Sequence, residues 1–340
     1  MKNRPYLFNT LLLAATLVLS VAAGAVYIPP GTLAKIVLAP FPALGIVPDW
    51  PESFATILWQ VRLPHTVLMT ITGMALAGSG AAYQGVFRNP LADPYLIGVA
   101  SGAGLGAVLV LAVDWPQTWL GLYTVPVAAF LGGVLTVAIV YALARVGQSV
   151  PTTTLILAGV AVGSFAVSLT SFLMLRSDQE LRRAIAWLLG GGSLTGWDPV
   201  VAVLPEVVIG LGVLLASGHP LNVMQFGEEQ AVQLGLPVNR AKLLIILAAT
   251  LTTAAAVAFS GIIGFIGLIV PHVVRMVWGP DYKQLIPLSI LGGGTALLLA
   301  DLLARVSIAP QVLPVGIVTS LVGAPFFLWI LRRAKAEAFW

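Results

Sequence analysis

The sequence predicts an all-α, polytopic membrane protein with about ten transmembrane helices, and three observations predict it. Hydrophobic residues make up 59% of the 340, and charged residues only 9%, against roughly 25% charged in an ordinary soluble domain. Stretches such as Leu11 to Tyr27, Val99 to Val113 and Leu243 to Phe259 carry no charge, and several such windows reach the ~20 residues needed to cross a ~30 Å hydrocarbon layer. These runs are continuous rather than alternating, which favours helices, whose backbone groups are satisfied internally, over the strands of a barrel.

Proline, glycine and charge clusters bound the spans. Lys2 and Arg4 precede the first, Phe8 to Tyr27. Its small residues Ala22 to Ala25 give it the look of a signal peptide, but so many spans follow that a first membrane helix is the simpler reading. The second, His65 to Gly85, carries Gly73, Ala77 and Ala81 every four residues, a stripe that allows close helix approach. Tyr95 to Val113, Leu120 to Leu143 and Thr154 to Leu175 come next. Ser164, Ser168 and Ser171 share one face of the last of these, where they line a polar pathway or bond their own backbone. Ser177 to Glu180 has capping-box spacing, and Leu181, Ile185 and Leu188 lie opposite Arg182 and Arg183, which describes a short interfacial helix. The sixth span, Trp197 to Ala216, holds Glu206 near its middle. Ala241 to Ile262 and the short Ile263 to Val277 join through Gly261, Gly264 and Gly267. Leu285 to Ala304 and Val312 to Leu331 complete the set.

Ten crossings put both termini on one side. That side holds eleven of the 17 basic residues, from Lys2 and Arg4 through Arg240 and Lys242 to Arg332, Arg333 and Lys335. By the positive-inside rule both termini are cytoplasmic, and residues 1–340 read as a single transmembrane domain. The chain has no cysteine, so it has neither a disulfide framework nor a thiolate metal site. None of the five lysines follows a glycine, which excludes a phosphate-cradling loop of the Gly-x-x-x-x-Gly-Lys type; any nucleotide hydrolysis belongs to another chain. His65, His219 and His272 are scattered, with no metal-ligand spacing, so neither a catalytic nor a metal site is expected.

Three constellations carry mechanism. Between the sixth and seventh spans, residues 221–240 are too polar to cross. Glu228 and Glu229 open a short helix, Gly235 stops it and Pro237 prevents its continuation. About two turns result, exposing Ala231, Val232 and Leu234 as a knob that docks into another protein or folds back on its own bundle. Two stiff segments share that side. Arg88-Asn89-Pro90-Leu91-Ala92-Asp93-Pro94 must turn, because each proline disfavours α conformation before it, and Pro151-Thr152-Thr153-Thr154 sets three hydroxyls at a helix start. Both are ordinary turn chemistry or a constriction at a pathway mouth. On the opposite side Arg62 and His65, three apart, point the same way, and Arg305 follows Asp301 by one turn. Either Asp301 pairs with Arg305, or the arginines face outward to receive carboxylates from an external partner.

At these residues the chain resembles the permease family of importers for ferric siderophores, haem and cobalamin, the FecCD or BtuC type. The resemblance runs nearly end to end. It is carried by Arg62-Leu63-Pro64, Gln84-Gly85, Asn89 to Pro94 with Gly98, Gly227-Glu228-Glu229 with Leu234-Gly235, and Gly264 to Leu268 with Pro271-His272 and Arg275. Ala300-Asp301 with Ala304-Arg305, Pro314-Val315-Gly316 and Gly323-Ala324-Pro325 extend it. The resemblance implies a type II importer fold: a homodimeric permease, two ATP-binding cassette subunits that hold the ATP and Mg, and a periplasmic or extracellular substrate-binding protein. It implies no cofactor on this chain. Arg62, His65 and Arg305 match docking positions for the binding protein, although an arginine commonly stands where this chain has His65. Asn89 with Leu91, and Thr152 with Thr153, match cytoplasmic gates. Ser164, Ser168 and Ser171 match the pathway helix at the dimer axis, and Gly227 to Gly235, with Glu228, Glu229, Ala231 and Leu234, matches the coupling helices.

The expected location is the bacterial inner membrane, with the lipid bilayer and the importer subunits as partners and no nucleic acid. The cargo is not separable among siderophore, haem and cobalamin. A second class of function, a proton-coupled secondary transporter, rests on Glu206, because a charge at mid-membrane costs ~2.5 to 3.5 kcal/mol on insertion scales for comparable residues.

Overall fold

The computed structural model describes residues 4–24, 26–113, 116, 118–119, 122–147, 149–175, 178–190, 195–309 and 311–337. Helix α1 spans Arg4–Ala22, and a proline pair then opens the short α2, Pro30–Leu38, with Pro30 at its first position, where a missing N–H leaves no bond unmade. Lys35 of α2 pairs with Asp49. Helix α3, Glu52–Thr56, runs without a break into a wider turn over Ile57–Arg62, in which the Leu63 N–H reaches back five residues to Leu58 O. Pro64 explains the widening: it has no N–H to give and its ring crowds the carbonyl four residues earlier. Helix α4, Leu63–Val86, continues the rod. The second span therefore begins well before His65, at Glu52.

Next come α5, Val99–Ala112, a two-residue antiparallel pair, β1 Thr118–Trp119 and β2 Leu122–Tyr123, α6, Thr124–Ala144, and α7, Thr152–Met174. Helix α8, Asp178–Leu188, occupies the place of the expected interfacial helix; Ser177 of its capping box lies outside the described residues. The chain then forms α9, Asp198–Ala216, α10, Gly218–Met224, α11, Glu228–Gln233, and α12, Val238–Ser260. It ends with α13, Ile266–Trp278, α14, Tyr282–Val306, and α15, Val315–Glu337. Among the described residues seven helices are long and apolar enough to cross a membrane, and α5, α13 and α15 supply three shorter apolar ones. The all-α fold of about ten spans is thus the observed one.

Helix α4 is the axis of the bundle, packed on α9, α12, α13 and α14. Its small residues make this possible. An added Cβ at Gly73 would lie 2.2 Å from Gly293 O, and at Gly80 1.9 Å from Gly267 O, so α14 and α13 cross α4 at backbone contact. Helices α1, α6, α7 and α9 instead leave much of their apolar surface exposed.

Helices α5 and α13 are short because irregular backbone precedes each. Before α5 a tight turn, Pro94–Ile97, is capped by the Asp93 carboxylate, which accepts the Tyr95 N–H at 2.8 Å. Before α13 the backbone unwinds over residues 261–264, and Phe265 adopts a positive φ of 69°. The two irregular segments satisfy each other. The Tyr95 hydroxyl donates to Ile263 O at 2.9 Å and accepts the Ile263 N–H at 3.3 Å, while Gln84 Nε2 donates to Leu268 O. Unwound backbone is tolerated at membrane depth only when its polar groups are paired in this way.

Candidate functional site

At the face opposite the termini, the site is built on the end of α1. A helix leaves its last four carbonyls without internal donors. Here the Ala23 N–H takes Leu19 O, so the orphans are Ser20, Val21, Ala22 and Ala23. Arg62 Nη1 donates to Val21 O and Ala22 O, both at 3.0 Å, and its Nη2 donates to Val26 O. Arg305 Nη1 donates to Ala23 O at 2.9 Å and Ser20 O at 3.2 Å, and its Nη2 to Ser20 Oγ at 2.8 Å. Cations at a helix C-terminus also oppose its negative dipole end. Gly24 leaves room for the arrangement, since a Cβ there would stand 2.9 Å from Arg62 Nη2.

Asp301 joins the remaining partners. Its Oδ2 accepts Arg305 Nε at 2.9 Å, and its Oδ1 lies 2.8 Å from His65 Nε2. The structure therefore gathers Arg62, His65 and Arg305 into one cluster, and the Asp301–Arg305 pair is formed. The arginines do not project outward as bare charges; Arg62 is only 6% exposed.

On the face that carries the termini, Arg88 turns the chain at φ 49° and the Asn89 side chain accepts the Leu91 N–H at 2.9 Å. Asn89 is exposed and Leu91 half-buried. The Pro94–Ile97 turn that follows seats against α7, where a Cβ on Gly159 would lie 2.3 Å from Leu96 O. Thr152 and Thr153 open α7, half-buried and exposed, while Thr154 Oγ1 donates to Pro151 O. Farther along α7, Ser164, Ser168 and Ser171 are exposed in the single chain. The hydroxyls of Ser168 and Ser171 each donate to the carbonyl four residues earlier, at 2.9 Å.

Burial pushes the Asp93 carboxyl up from 3.8 to about 6, the Tyr95 N–H only partly offsetting it. The folded chain therefore holds a proton that the unfolded chain has released between about pH 4 and 6, so stability falls as pH rises through that window. Asp93→Asn keeps the cap acceptor. It is expected to flatten the fall, as read from thermal unfolding of purified protein between pH 4 and 8.

The expected knob is present as α11. Gly227 enters it at φ 113° and Gly235 leaves it at φ 85°, with the Gly235 N–H on Val232 O and the Leu236 N–H on Ala231 O. These bonds satisfy the helix's last carbonyls. Glu228 accepts Lys242 Nζ of α12 at 2.5 Å. Ala231, three residues on, shares that inward face and is fully buried. The expectation that Ala231 is exposed is therefore corrected: the helix folds one face onto its own bundle and presents another. Val232 and Leu234 are 59% and 66% exposed, and Glu229 is exposed beside them. A cleft of about 550 Å³ runs along this side, lined by Ser149, Glu229, Val232 and Arg240 among others.

Several anchoring residues are not evident from sequence reasoning. Gln225 Nε2 donates to Gly85 O at 3.2 Å, just before the Arg88–Pro94 loop. Asn222 donates to Asp281 Oδ1 at 2.6 Å and accepts the Tyr282 N–H. Together they tie α10 to the ends of α4 and α14. Lys242 does carry a sequence signal: a lysine at the start of a long apolar helix needs an acid nearby, and Glu228 is the acid.

Comparison with known proteins gives a consistent result. The model of the FecCD transport family matches residues 12–333. The cobalamin import system permease protein BtuC of Halobacterium salinarum is 47% identical over 288 residues, covering 85% of this chain and 76% of that protein. The hemin transport system permease protein HmuU of Yersinia pestis is 40% identical over 299 residues, covering 85% and 88%. A solved structure of a metal-chelate type ABC transporter in an inward-facing conformation superposes with a TM-score of 0.83 at 30% identity, covering 96% of this chain and 98% of that one.

Proposed function

Because the chain belongs to the FecCD transport family, we propose that it is the membrane-spanning permease subunit of a binding-protein-dependent ABC importer for cobalamin, haem or another iron chelate. It performs no chemistry itself. Two copies form the pathway along their α7 helices, with Asn89, Leu91, Thr152 and Thr153 at the cytoplasmic gate. Two partner ATPases, which hold ATP and Mg, drive alternating access, and a substrate-binding protein delivers cargo to the Arg62, His65 and Arg305 face in the bacterial inner membrane. Both termini are cytoplasmic, and residues 1–340 form one permease domain.

The observation that carries this reading is α11. A short helix held to its own bundle by Glu228–Lys242 and Ala231, yet presenting Val232 and Leu234 to water, is a preformed docking knob. It sits on a chain with no phosphate-binding loop of its own. Gly227, Glu228, Glu229, Ala231, Leu234 and Gly235 form and position this coupling element. Co-expressed with its ATPase, the chain is expected to support hydrolysis that rises severalfold when one of the organism's substrate-binding proteins is added. An absence of stimulation by every such protein would contradict the proposal.

One observation favours the second reading, a proton-coupled transporter. Glu206 follows Pro205 inside α9, and its Oε2 is buried with no hydrogen-bond partner. Under the ABC reading Glu206→Gln leaves ATP-dependent uptake within about twofold of the parent. Loss of uptake with ATPase stimulation intact would favour proton coupling.

A further inference from the structure

The two arginines at the outer face spend most of their donors on this chain: Arg305 engages its Nε, Nη1 and Nη2, and Arg62 both of its terminal nitrogens. The four carbonyls that α1 cannot satisfy are divided between them, Val21 and Ala22 to Arg62, Ser20 and Ala23 to Arg305. Among the described residues the acceptors of Arg62 are backbone oxygens. Arg62 is 6% exposed and its terminal nitrogens already hold those carbonyls, so an external carboxylate that takes both of these nitrogens displaces them.

Resting on the functional reading above, we infer that docking at this face is an exchange. Carboxylates of an acidic partner surface compete with the carbonyls that end α1, those of Ser20 to Ala23, and with Val26 O for the same guanidinium nitrogens, and docking releases this end of the helix. Chemistry makes the exchange close to balanced. A carboxylate offers a guanidinium two parallel charge-assisted bonds, which are stronger than bonds to neutral carbonyls. The displaced carbonyls lie at the end of a membrane helix, where water can replace the lost donors. His65 completes the device. When Arg305 turns toward the partner, Asp301 keeps the His65 bond at 2.8 Å, so a buried carboxylate is not left without a partner, which would be strongly unfavourable.

The chain contains no cysteine, so a single Val26→Cys, at an exposed position just past that helix end, can carry a spin label in the permease–ATPase complex in nanodiscs. The probe is the binding protein that stimulates hydrolysis in the experiment above. Its addition is expected to mobilise the label at least twofold, and Arg62→Ala is expected to mobilise it without the probe. Gly24→Ala, whose Cβ would press on the Arg62 guanidinium, should free the arginine and tighten probe binding severalfold. Probe that binds and stimulates while the label stays fixed would overturn the exchange but leave the importer reading standing. So would unchanged or weaker binding by Gly24→Ala. If Arg62→Ala does not fold, the wild-type label and Gly24→Ala still decide. No stimulation by any binding protein would instead remove the functional reading and this inference with it.

Discussion

Gly80→Val is expected to destabilise the folded protein by about 3 kcal/mol or more. The new side chain would start 1.9 Å from Gly267 O and 2.6 Å from its carbonyl carbon. Those are backbone atoms at a helix crossing, and they cannot step aside as a flexible side chain can. Moving α13 away from α4 would also pull Gly267 from its contacts with Pro94 and Leu76 O, and so disturb the paired irregular segments that hold Tyr95 against Ile263. Overpacking in a well-packed core destabilises by roughly 1–3 kcal/mol, occasionally more, and a clash with the Gly267 backbone belongs at or above the top of that range. Gly212→Ala is the control. Nothing lies within 4 Å of a Cβ there, so that variant should behave as the parent does. Yield of monodisperse protein and its thermal unfolding midpoint in detergent measure both.

The paired substitution Val232→Asp with Leu234→Asp should leave the fold intact and break the partnership with the ATPase. Both side chains are more than half exposed, and neither contributes to the Glu228–Lys242 tether or the buried Ala231 face. If they are the central contacts of the docking surface, each is worth roughly 2 kcal/mol or more. Together that corresponds to on the order of a thousandfold loss of affinity. Co-purification of the ATPase and stimulated hydrolysis would both disappear, while the unfolding midpoint stays within a few degrees. Ala231→Asp provides the contrast, because a carboxylate in that fully buried position has no partner and should destabilise α11 itself.

Much of this architecture is legible in the sequence. Long uncharged runs located the spans, and the Gly73, Ala77 and Ala81 stripe marked the face on which α14 packs. Gly235 and Pro237 located the end of α11, because positive φ and a missing N–H are local properties. What could not be read were contacts between distant parts of the chain. Arg62 meets Val21 across 41 positions and Arg305 meets Ser20 across 285, so sequence showed an arginine beside a membrane but not the helix end that it caps. Ala231 was misplaced for the same reason. Both faces of a six-residue helix are short, and only the Lys242 contact reveals which of them turns inward. The wide turn at Ile57–Arg62 was not anticipated, because a proline at a helix start is ordinary and its effect on the preceding turn depends on how the chain enters the helix.

The central claim is that this chain moves cargo only when a nucleotide-hydrolysing partner works its α11 helix. Proteoliposomes holding the chain alone, or the chain with its ATPase and binding protein, can be tested for accumulation of labelled cobalamin, haemin and a ferric siderophore. Uphill uptake of one of these is predicted only for the full complex supplied with ATP and Mg on the ATPase side, and an imposed pH difference should have no such effect. Accumulation by the chain alone under a pH difference would contradict the account.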